Sequence, residues 1–349
     1  MQHTTIAVDL AKSVFEVAVS ERPGRVSERR RLSREQFARF LGERAPATLV
    51  MEACGTAHFW GRGAEAAGHQ VRLLPPHAVR PYVPRNKTDR ADAKGLLEAS
   101  RNEAIQSVPV KSLEQQALTA LHRLRSTWVA ARTSRINTVR GVLRELGFPI
   151  PLGARQRVPA VYALLGEADS GVPEVLRPVL TEAAQEIREL EARIREVERS
   201  LERLAGASPA IERLRSIPGV GLLTATALVA FVGDVRRFRS GRHFASYLGL
   251  TPRESSSGLR RRLGAISKRG DPYLRTLLIQ GARSVLCHAK RRPDARGRLE
   301  DWALERERLR GHNKAAVALA NKLARIVWAV WSRGVAFQRR SPDEVAPMS

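Results

Sequence analysis

The run Ile6-Ala-Val-Asp-Leu10, followed closely by Val14-Phe-Glu-Val-Ala-Val19, indicates how the first part of this chain folds. Both runs are short and rich in β-branched residues, and they lie close enough together to form a hairpin. Further along, the pattern predicts a third strand near residues 25–32, a helix after Ser33, a strand at 48–52, a helix at 57–67 and a strand at 70–74.

Three strands, a helix, a strand, a helix and a strand follow the order of a ribonuclease-H-like or RuvC-like α/β domain. The first helix has a clear start signal, because Ser33 and Gln36 have the spacing of a capping box. Phe37, Phe40 and Leu41 then fall on one helical face.

The rest of the chain is predicted to be mainly helical. A second capping box, Ser112 with Gln115, opens a helix that runs to about residue 146. Apolar residues recur every three or four positions over 180–204, which favours a coiled coil or an antiparallel helical hairpin with 112–146 as partner. A single amphipathic helix packed on its own domain is the alternative. The last block, 208–335, is helical with glycines between the segments.

These patterns predict α/β plus all-α architecture in four parts. They are an RNase H/RuvC-like domain at 1–108, a helical or coiled-coil region at 109–207, a helical C-terminal domain at 208–335 and a disordered tail at 336–349.

The composition indicates a polyanionic partner. The 349 residues include 60 Lys and Arg against 35 Asp and Glu, which gives a net charge of +25, and 43% are hydrophobic, enough for folded cores. Nucleic acid is the first candidate partner, and an anionic membrane surface is disfavoured because aromatic residues make up only 5%. Two cysteines exclude a disulfide scaffold and a four-cysteine zinc site, so a reducing cytoplasm is expected.

Four acids have unusual positions. Asp9 interrupts an apolar strand and Glu52 ends another, while Asp89 and Asp92 share one face of a predicted helix. Each alone is typical of a helix cap or an ion pair. Together, carboxylates that converge from two strands and a helix need cations, and Mg²⁺ is the expected one because it prefers oxygen ligands. Such a cluster is suited to phosphoryl transfer.

A serine-rich segment is the second candidate site. Ser255, Ser256 and Ser257 precede Gly258, and arginines lie on both sides. The segment could be a flexible loop, or it could present a serine nucleophile whose phosphodiester is held by Arg253, Arg260, Arg261 and Arg262. Upstream, Ile217-Pro-Gly-Val-Gly221 is typical of a helix-hairpin-helix element that contacts a phosphate backbone at a helix start.

These motifs together resemble one family, the insertion-sequence transposases of the IS-one-ten type, whose characterised members are bridge-RNA-guided recombinases. The resemblance covers residues 4 to 335. It is carried by Val8-Asp-Leu-Ala-Lys12, Met51-Glu-Ala-Cys-Gly55, Asn86-Lys-Thr-Asp-Arg-Ala-Asp-Ala93, Ile217-Pro-Gly-Val-Gly221, Tyr247-Leu-Gly-Leu-Thr-Pro252, Ser257-Gly258 and Ile266-Ser-Lys-Arg-Gly270.

The resemblance implies a Mg²⁺-binding tetrad of Asp9, Glu52, Asp89 and Asp92, and a nucleophile, Ser257, that forms a 5′-phosphoserine link. Ser256 remains an alternative nucleophile. Expected partners are donor and target DNA, a bridge RNA and further copies of the chain, as dimers that assemble into tetramers, in a bacterial or archaeal cell. Residues expected to contact nucleic acid are Lys12, Arg85, Lys87, Arg90, Gly219, Gly221, Arg253, Arg260, Arg261, Arg262, Lys268 and Arg269.

Two other functions fit parts of the sequence. A RuvC-like nuclease would use the four acids and a water molecule, and its product would carry no protein. A non-catalytic scaffold would need only the basic helix at 112–146 and the overall charge. The carboxylate motifs argue against a scaffold, since acids that face a phosphate do not help binding.

Overall fold

The computed structural model describes residues 4–23, 25–83, 89–150, 157–167, 170–258 and 260–338, with the backbone alone at 89, 90, 157 and 158. The chain forms two compact units, 1–116 and 117–349. The predicted four-part division, with boundaries after 108, 207 and 335, stays a prediction. Of its predicted disordered tail, residues 339–349 lie outside the described part.

Within its described residues the first unit contains five strands and four α-helices, and α5 begins at its end. In chain order these elements are β1 (Thr5–Leu10), β2 (Val14–Ser20), β3 (Glu28–Ser33), α1 (Arg34–Glu43), β4 (Thr48–Glu52), α2 (Ala57–Ala66), β5 (Gln70–Leu74), α3 (Pro76–Val79) and α4 (Asp89–Ser100). The capping box at the start of α1 is present, with Ser33 and Gln36 each bonding the other's backbone N–H.

The strands form one mixed sheet in the order β3-β2-β1-β4-β5. The first three strands pair antiparallel, while β4 is parallel to both β1 and β5. This order and these directions confirm the predicted RNase H-like fold.

Helices cover both faces of the sheet, and the alternation of side chains along each strand decides which residues meet which helices. On one face Ile6, Val8 and Met51 pack with α1 and α2. On the other face Ala7 and Val50 pack with two sheet neighbours, Ala18 and Leu74. They also pack with three residues of α4: Ala93, Leu96 and Leu97.

The second unit is largely helical, as predicted. Its elements, with α5 beginning just before residue 117, are α5 (Leu113–Glu145), α6 (Arg157–Gly166), α7 (Arg177–Gly206), α8 (Pro209–Arg215), α9 (Leu222–Val232), α10 (Gly241–Tyr247), β6 (Pro252–Glu254), β7 (Leu263–Ile266), α11 (Pro272–Arg291), α12 (Arg298–Arg310) and α13 (His312–Arg333). The two short strands form a separate antiparallel pair.

Helices α5 and α7 run antiparallel, which confirms the hairpin alternative. Arg125 of α5 bonds Glu198 of α7 at 2.8 Å, and Arg135, ten residues later on α5, bonds Glu186, twelve residues earlier on α7. At the far end Leu143 packs with residues of α7 in a separate small core. The helical spacing of Leu121, Leu124, Trp128 and Ala131 in the sequence predicts one apolar face on α5. Leu124 differs from this prediction, since it is 47% exposed.

The C-terminal helices surround one large core. Helix α13 is buried along its length at Ala316, Leu319, Leu323 and Val327, and it packs against α10, α11 and α12. Helix α9 is apolar on every side, which is typical of a helix enclosed by its neighbours.

Candidate active site

Asp9 and Glu52 stand at equivalent positions on two neighbouring parallel strands. The pairing of β1 with β4 ends at Val8 and Met51, and the two acids are the next residues. Asp9 is two residues after Ala7 and Glu52 two residues after Val50, so both acids lie on the face that α4 covers. Both side chains are partly buried.

A third acid, Glu16, lies on the same face. It is the register partner of Asp9 across the antiparallel β1–β2 pair, and side chains of directly opposite residues are neighbours on one side of a sheet. Sequence reasoning missed Glu16, because a lone charge in a strand is typical of a solvent-facing position. The hairpin register would have indicated it, since Asp9 and Glu16 are placed symmetrically about the turn.

Helix α4 brings Asp92 to this side of the sheet. Asp92 is one turn before the buried Leu96, which packs on the strands, and it is itself partly buried. Asp89 is the first residue of α4, but its side chain lies outside the described part, as does that of Arg90. Arg85 and Lys87 lie outside it entirely.

The donor set suits a divalent cation. Asp9, Glu52 and Asp92 offer only carboxylate oxygens, the ligands that Mg²⁺ prefers. Among the side chains that the structure describes, no three of the types His, Cys, Asp and Glu are close enough to bind one metal ion. Asp9 and Glu52, on one sheet face at adjacent positions, are the two acids that the backbone brings together.

Lys12 lies beside these acids, in the exposed turn between β1 and β2. Its backbone carbonyl accepts a hydrogen bond from Arg34 at 3.4 Å. The turn is therefore tied to α1, while the Lys12 side chain is open to solvent.

The serine-rich segment is a two-stranded hairpin within the largely helical C-terminal region, and not the flexible loop that was one of the two alternatives. Strands β6 and β7 pair antiparallel, and the ladder continues through Ser255, whose N–H donates to the carbonyl of Arg262 at 3.0 Å. Ser257 and Arg260 then bridge each other next to the turn. Gly258 has a φ of +54°, a left-handed conformation that glycine adopts without strain.

The hydroxyls of Ser256 and Ser257 have different surroundings. The Ser256 hydroxyl donates to Glu254 at 2.8 Å and accepts from the Arg262 N–H at 3.2 Å, so it closes the hairpin across its two arms. Ser257 is exposed next to the turn, and its hydroxyl has no hydrogen-bond partner within the described residues. Of these two serines, Ser257 is therefore the one whose hydroxyl is available to a reactant.

Cations surround the hairpin. The exposed side chains are those of Arg253, Arg260, Arg261, Arg262, Lys268 and Arg269. Arg261 pairs with Glu254 at 3.3 Å. Glu254 therefore contacts both Ser256 and an arginine, and sequence reasoning did not single it out.

The base of the hairpin is fixed by its backbone. The Lys268 N–H donates to the carbonyl of Gly249 at 3.1 Å, and Lys268 has a φ of +55°, the one positive value found among the described non-glycine residues. Gly270 packs so closely against the preceding helix that a Cβ there would lie 2.1 Å from the carbonyl oxygen of Tyr247. The segment after β7 is therefore held against the end of α10.

The predicted helix-hairpin-helix segment joins α8 to α9. Gly219 in the turn has a φ of +82°, and its carbonyl oxygen lies 2.0 Å from where a Cβ on Gly281 of α11 would be. Gly221 is the N-cap of α9. The two helices, the glycine turn and the open backbone N–H groups at the start of α9 are as predicted from the sequence, and contact with a phosphate stays a prediction.

Within the described residues, every helix is either too short or too polar to cross a lipid bilayer.

Comparison with known proteins identifies the chain. Residues 211–298 match a family model described as "Transposase IS116/IS110/IS902 family", and residues 6–148 match a second model, of the DEDD type, described as "Transposase". A "Probable family 20 transposase" of Pseudomonas aeruginosa is 44% identical over 97% of this chain and 99% of its own length.

Two further relatives belong to named insertion sequences. The "Transposase for insertion sequence element IS1111A" of Coxiella burnetii is 38% identical over 94% of this chain and 89% of its own length. The "Transposase for insertion sequence element IS1328" of Yersinia enterocolitica is 37% identical over 96% of this chain and 99% of its own length.

The matched families and relatives identify this chain, with its RNase H-like sheet and helical C-terminal part, as a transposase, an enzyme of phosphoryl transfer that acts on DNA. The chain belongs to the IS116/IS110/IS902 family of transposases. Its DEDD domain implies a divalent metal ion. A non-catalytic scaffold is therefore excluded as its function.

Proposed function

We propose that this transposase cuts and rejoins DNA strands with two sites: a Mg²⁺-binding set of Asp9, Glu52, Asp89 and Asp92, and a serine nucleophile, Ser257. The observation that carries the proposal is the exposed Ser257 hydroxyl next to the turn of an arginine-rich hairpin, while Ser256 is held in hydrogen bonds. The shared sheet face of Asp9 and Glu52 supports the metal set.

The proposed reaction is a transesterification. The Ser257 oxygen attacks the phosphorus, a bond between serine and the 5′-phosphate forms, and the bond to the 3′ oxygen breaks. The proton leaves the serine hydroxyl and the departing 3′ oxygen takes up a proton, so the number of phosphodiester bonds is conserved. A bound Mg²⁺ would supply positive charge beside the phosphate oxygens.

The chain's own residues have separate roles in this reaction. Arg253, Arg260 and Arg262 would hold the phosphate beside the hydroxyl, since guanidinium groups bind phosphate oxygens through two parallel hydrogen bonds. Lys12, Arg85, Lys87 and Arg90 would contact nucleic acid beside the acids. Gly219 and Gly221 would present backbone N–H groups to a phosphate backbone, and Lys268 and Arg269 would add charge at the base of the hairpin.

The proposal includes a guide RNA and assembly of several subunits in the cytoplasm. A bridge RNA would pair with donor and target DNA and supply the sequence specificity. The protein would recognise the geometry of the nucleic-acid backbone. The net charge of +25 supports binding to more than one nucleic-acid strand. The family resemblance supports dimers that form tetramers.

The test is the covalent adduct. Full-length protein is assembled with co-purified RNA, Mg²⁺ and a DNA duplex that carries the insertion-sequence end, and the protein–DNA product is digested and its phosphopeptide sequenced. We expect the phosphate on Ser257, and we expect Ser257→Ala to bind DNA normally and form no adduct.

Two results would contradict this. Cleaved DNA with no attached protein would indicate the nuclease alternative, in which water is the nucleophile. An adduct that persists in Ser257→Ala and disappears in Ser256→Ala would assign the reaction to the neighbouring serine.

A further inference from the structure

A groove lies between the base of the serine hairpin and helix α13. Its volume is about 1030 Å³. It is lined by Ala265 and Ile266 of β7, by Val317 and Ala318 of α13 and by Trp302 of α12. The groove is therefore built largely from apolar side chains of three separate elements.

One hydrogen bond joins the two sides of the groove. The side-chain amide of Asn321, on α13, donates to the carbonyl of Leu250 at 3.0 Å. Leu250 immediately precedes Thr251 and β6, so this bond ties the base of the serine hairpin to α13. The groove and Ser257 consequently share one structural element.

Cations cluster around Trp302 in the lining of the groove. The Lys322 ammonium lies 4.0 Å from the centre of the Trp302 ring, and the Arg306 guanidinium lies 5.9 Å from it. Arg325 also lines the groove. Burial lowers the pKa of Lys322, and the positive charges of Arg325, Arg298 and Arg306 lower it further.

The Arg306 guanidinium has an acidic partner and, in the described part of the chain, one nitrogen without a partner. Arg306 has an ion pair with Glu305 at 3.5 Å, while its Nε atom is buried and has no hydrogen-bond partner within the described residues. Neighbouring lysine and arginine side chains repel one another. An anion that binds among them offsets this repulsion and stabilises their charged forms. The cluster thus favours a negatively charged occupant.

A ligand of this groove needs an apolar part that packs on the apolar side chains and an anionic part that pairs with the cations. A nucleotide does so, because its base is an apolar plate with a polar edge and its phosphate is an anion. Lys314, which is exposed on the rim, adds a further positive charge. A peptide segment without acidic side chains would pack on the apolar lining and leave the cations without a partner.

We propose that this groove binds single-stranded nucleotides of the DNA strand next to the phosphodiester that Ser257 attacks. The inference rests on the proposed function for the identity of that strand. Ser257 lies five residues beyond Pro252 along the hairpin arm, about 16 Å at strand spacing, which is the length of a few nucleotides. The bases lie against Ile266 and Val317, and the phosphates lie along Lys314, Lys322 and Arg325.

The test is equilibrium binding of full-length protein to fluorescent oligonucleotides without cleavage. The probes are a deoxythymidine octamer, the same octamer with two central abasic sites, and a uridine octamer. Removal of bases that contact the groove should weaken binding by about tenfold, the effect of losing one base contact. Equal affinity for the first two probes would overturn the proposal.

Three variants locate the binding. Ala318→Leu adds bulk to the lining of the groove and should abolish the difference between the normal and abasic probes. Lys314→Ala should weaken binding of both probes and lower the slope of log affinity against log salt by about 0.7. Arg308→Ala, which removes an exposed charge of α12 outside the groove, is the matched control and should change neither.

Failure of this proposal can be distinguished from failure of the proposed function. Binding is measured again in Ser257→Ala, where no adduct is expected, and the groove should bind the probes unchanged. If Ala318→Leu fails to fold, as judged by circular dichroism, the Lys314→Ala result and the abasic probe still decide. Tighter binding of uridine than of deoxythymidine by tenfold would overturn the assignment to DNA, and wild-type affinity in both groove variants would overturn the site itself.

Discussion

Asp9 and Glu52 occupy equivalent positions on adjacent parallel strands, each one residue beyond the last pair of the β1–β4 ladder. Because side chains alternate along a strand, this register places both carboxylates on the face that α4 covers. These two acids are brought together by backbone register and not by flexible loops, as the proposed metal site requires. This relationship makes Asp9 the most informative acid to change.

Asp9→Asn should abolish Mg²⁺-dependent formation of the DNA adduct and leave the fold intact. The amide keeps the size of the side chain and removes the negative charge that a divalent cation requires. Adduct yield on gels and the thermal melting curve measure the two effects. Glu35→Gln, an exposed acid on α1 at the opposite face of the sheet, is the control and should retain activity. An Asp9→Asn protein that is unstable but active would show that the acid is structural.

Ser256→Ala should slow adduct formation and leave its position at Ser257. The variant loses two hydrogen bonds, one to Glu254 and one from the Arg262 N–H. Each exposed hydrogen bond contributes about 1 kcal/mol or less, so the rate should fall by no more than about thirtyfold. Phosphopeptide sequencing gives the position and a time course gives the rate. Ser255→Ala, whose backbone alone joins the ladder, should react at the normal rate. Complete loss of the adduct in Ser256→Ala alone would speak for Ser256.

Gly270→Ala should destabilise the base of the serine hairpin. The added Cβ would lie 2.1 Å from the Tyr247 carbonyl oxygen and 2.5 Å from the carbonyl carbon of Leu248, so backbone must move. Such overpacking costs about 1–3 kcal/mol. Urea unfolding measures the loss, and Gly264→Ala, where the nearest atom is 3.9 Å away, should cost much less. Equal stability of the two variants would contradict the close packing.

The buried histidine of α5 predicts how stability depends on pH. His122 is 1% exposed and shares hydrogen bonds with Tyr273 at 2.9 Å and Thr226 at 3.0 Å. Burial, with a smaller contribution from Arg125, lowers the pKa of His122 from 6.5 to about 4. The folded protein therefore holds this imidazole neutral at a pH where the unfolded chain binds a proton.

The sign of the effect follows from that difference. Between pH 6.5 and 4 the unfolded state binds more protons, so the free energy of unfolding falls as the pH falls, by about 2 kcal/mol at pH 5. Urea midpoints at pH 7.5 and 5 measure it. His122→Gln should show a smaller drop between the two pH values, while the exposed His243→Gln should show the wild-type drop. A full drop in His122→Gln would assign the pH dependence to other groups.

Elements with strong local signals were predictable from the sequence. The β1–β2 hairpin follows from its two β-rich runs, and the capping boxes at Ser33 and Ser112 mark the starts of α1 and α5 within one residue. Along α7 most of the predicted apolar positions are buried, because a helix of 30 residues averages its pattern over many turns. Leu124 was predicted to be on the apolar face of α5 and is exposed, because periodicity does not show which face of a helix is covered by another element.

The candidate site was predictable only where a motif marks it. Glu16 was missed because its proximity to Asp9 depends on strand register, which spans both arms of the hairpin. The strands of the serine hairpin were missed because they are exposed and show no alternation of apolar and polar residues. The groove beside α13 depends on three elements distant in sequence, and no local pattern encodes such a contact.

The serine hairpin buries very little of itself. All of β6 and the first three residues of β7 are exposed. An isolated two-stranded ribbon is at best marginally stable in water, so the tip of this ribbon depends for its order on the contacts that fix its base and on whatever binds along its arginines. Under the proposed function, we expect Ser257 to become fully ordered only when a DNA strand lies along the ribbon.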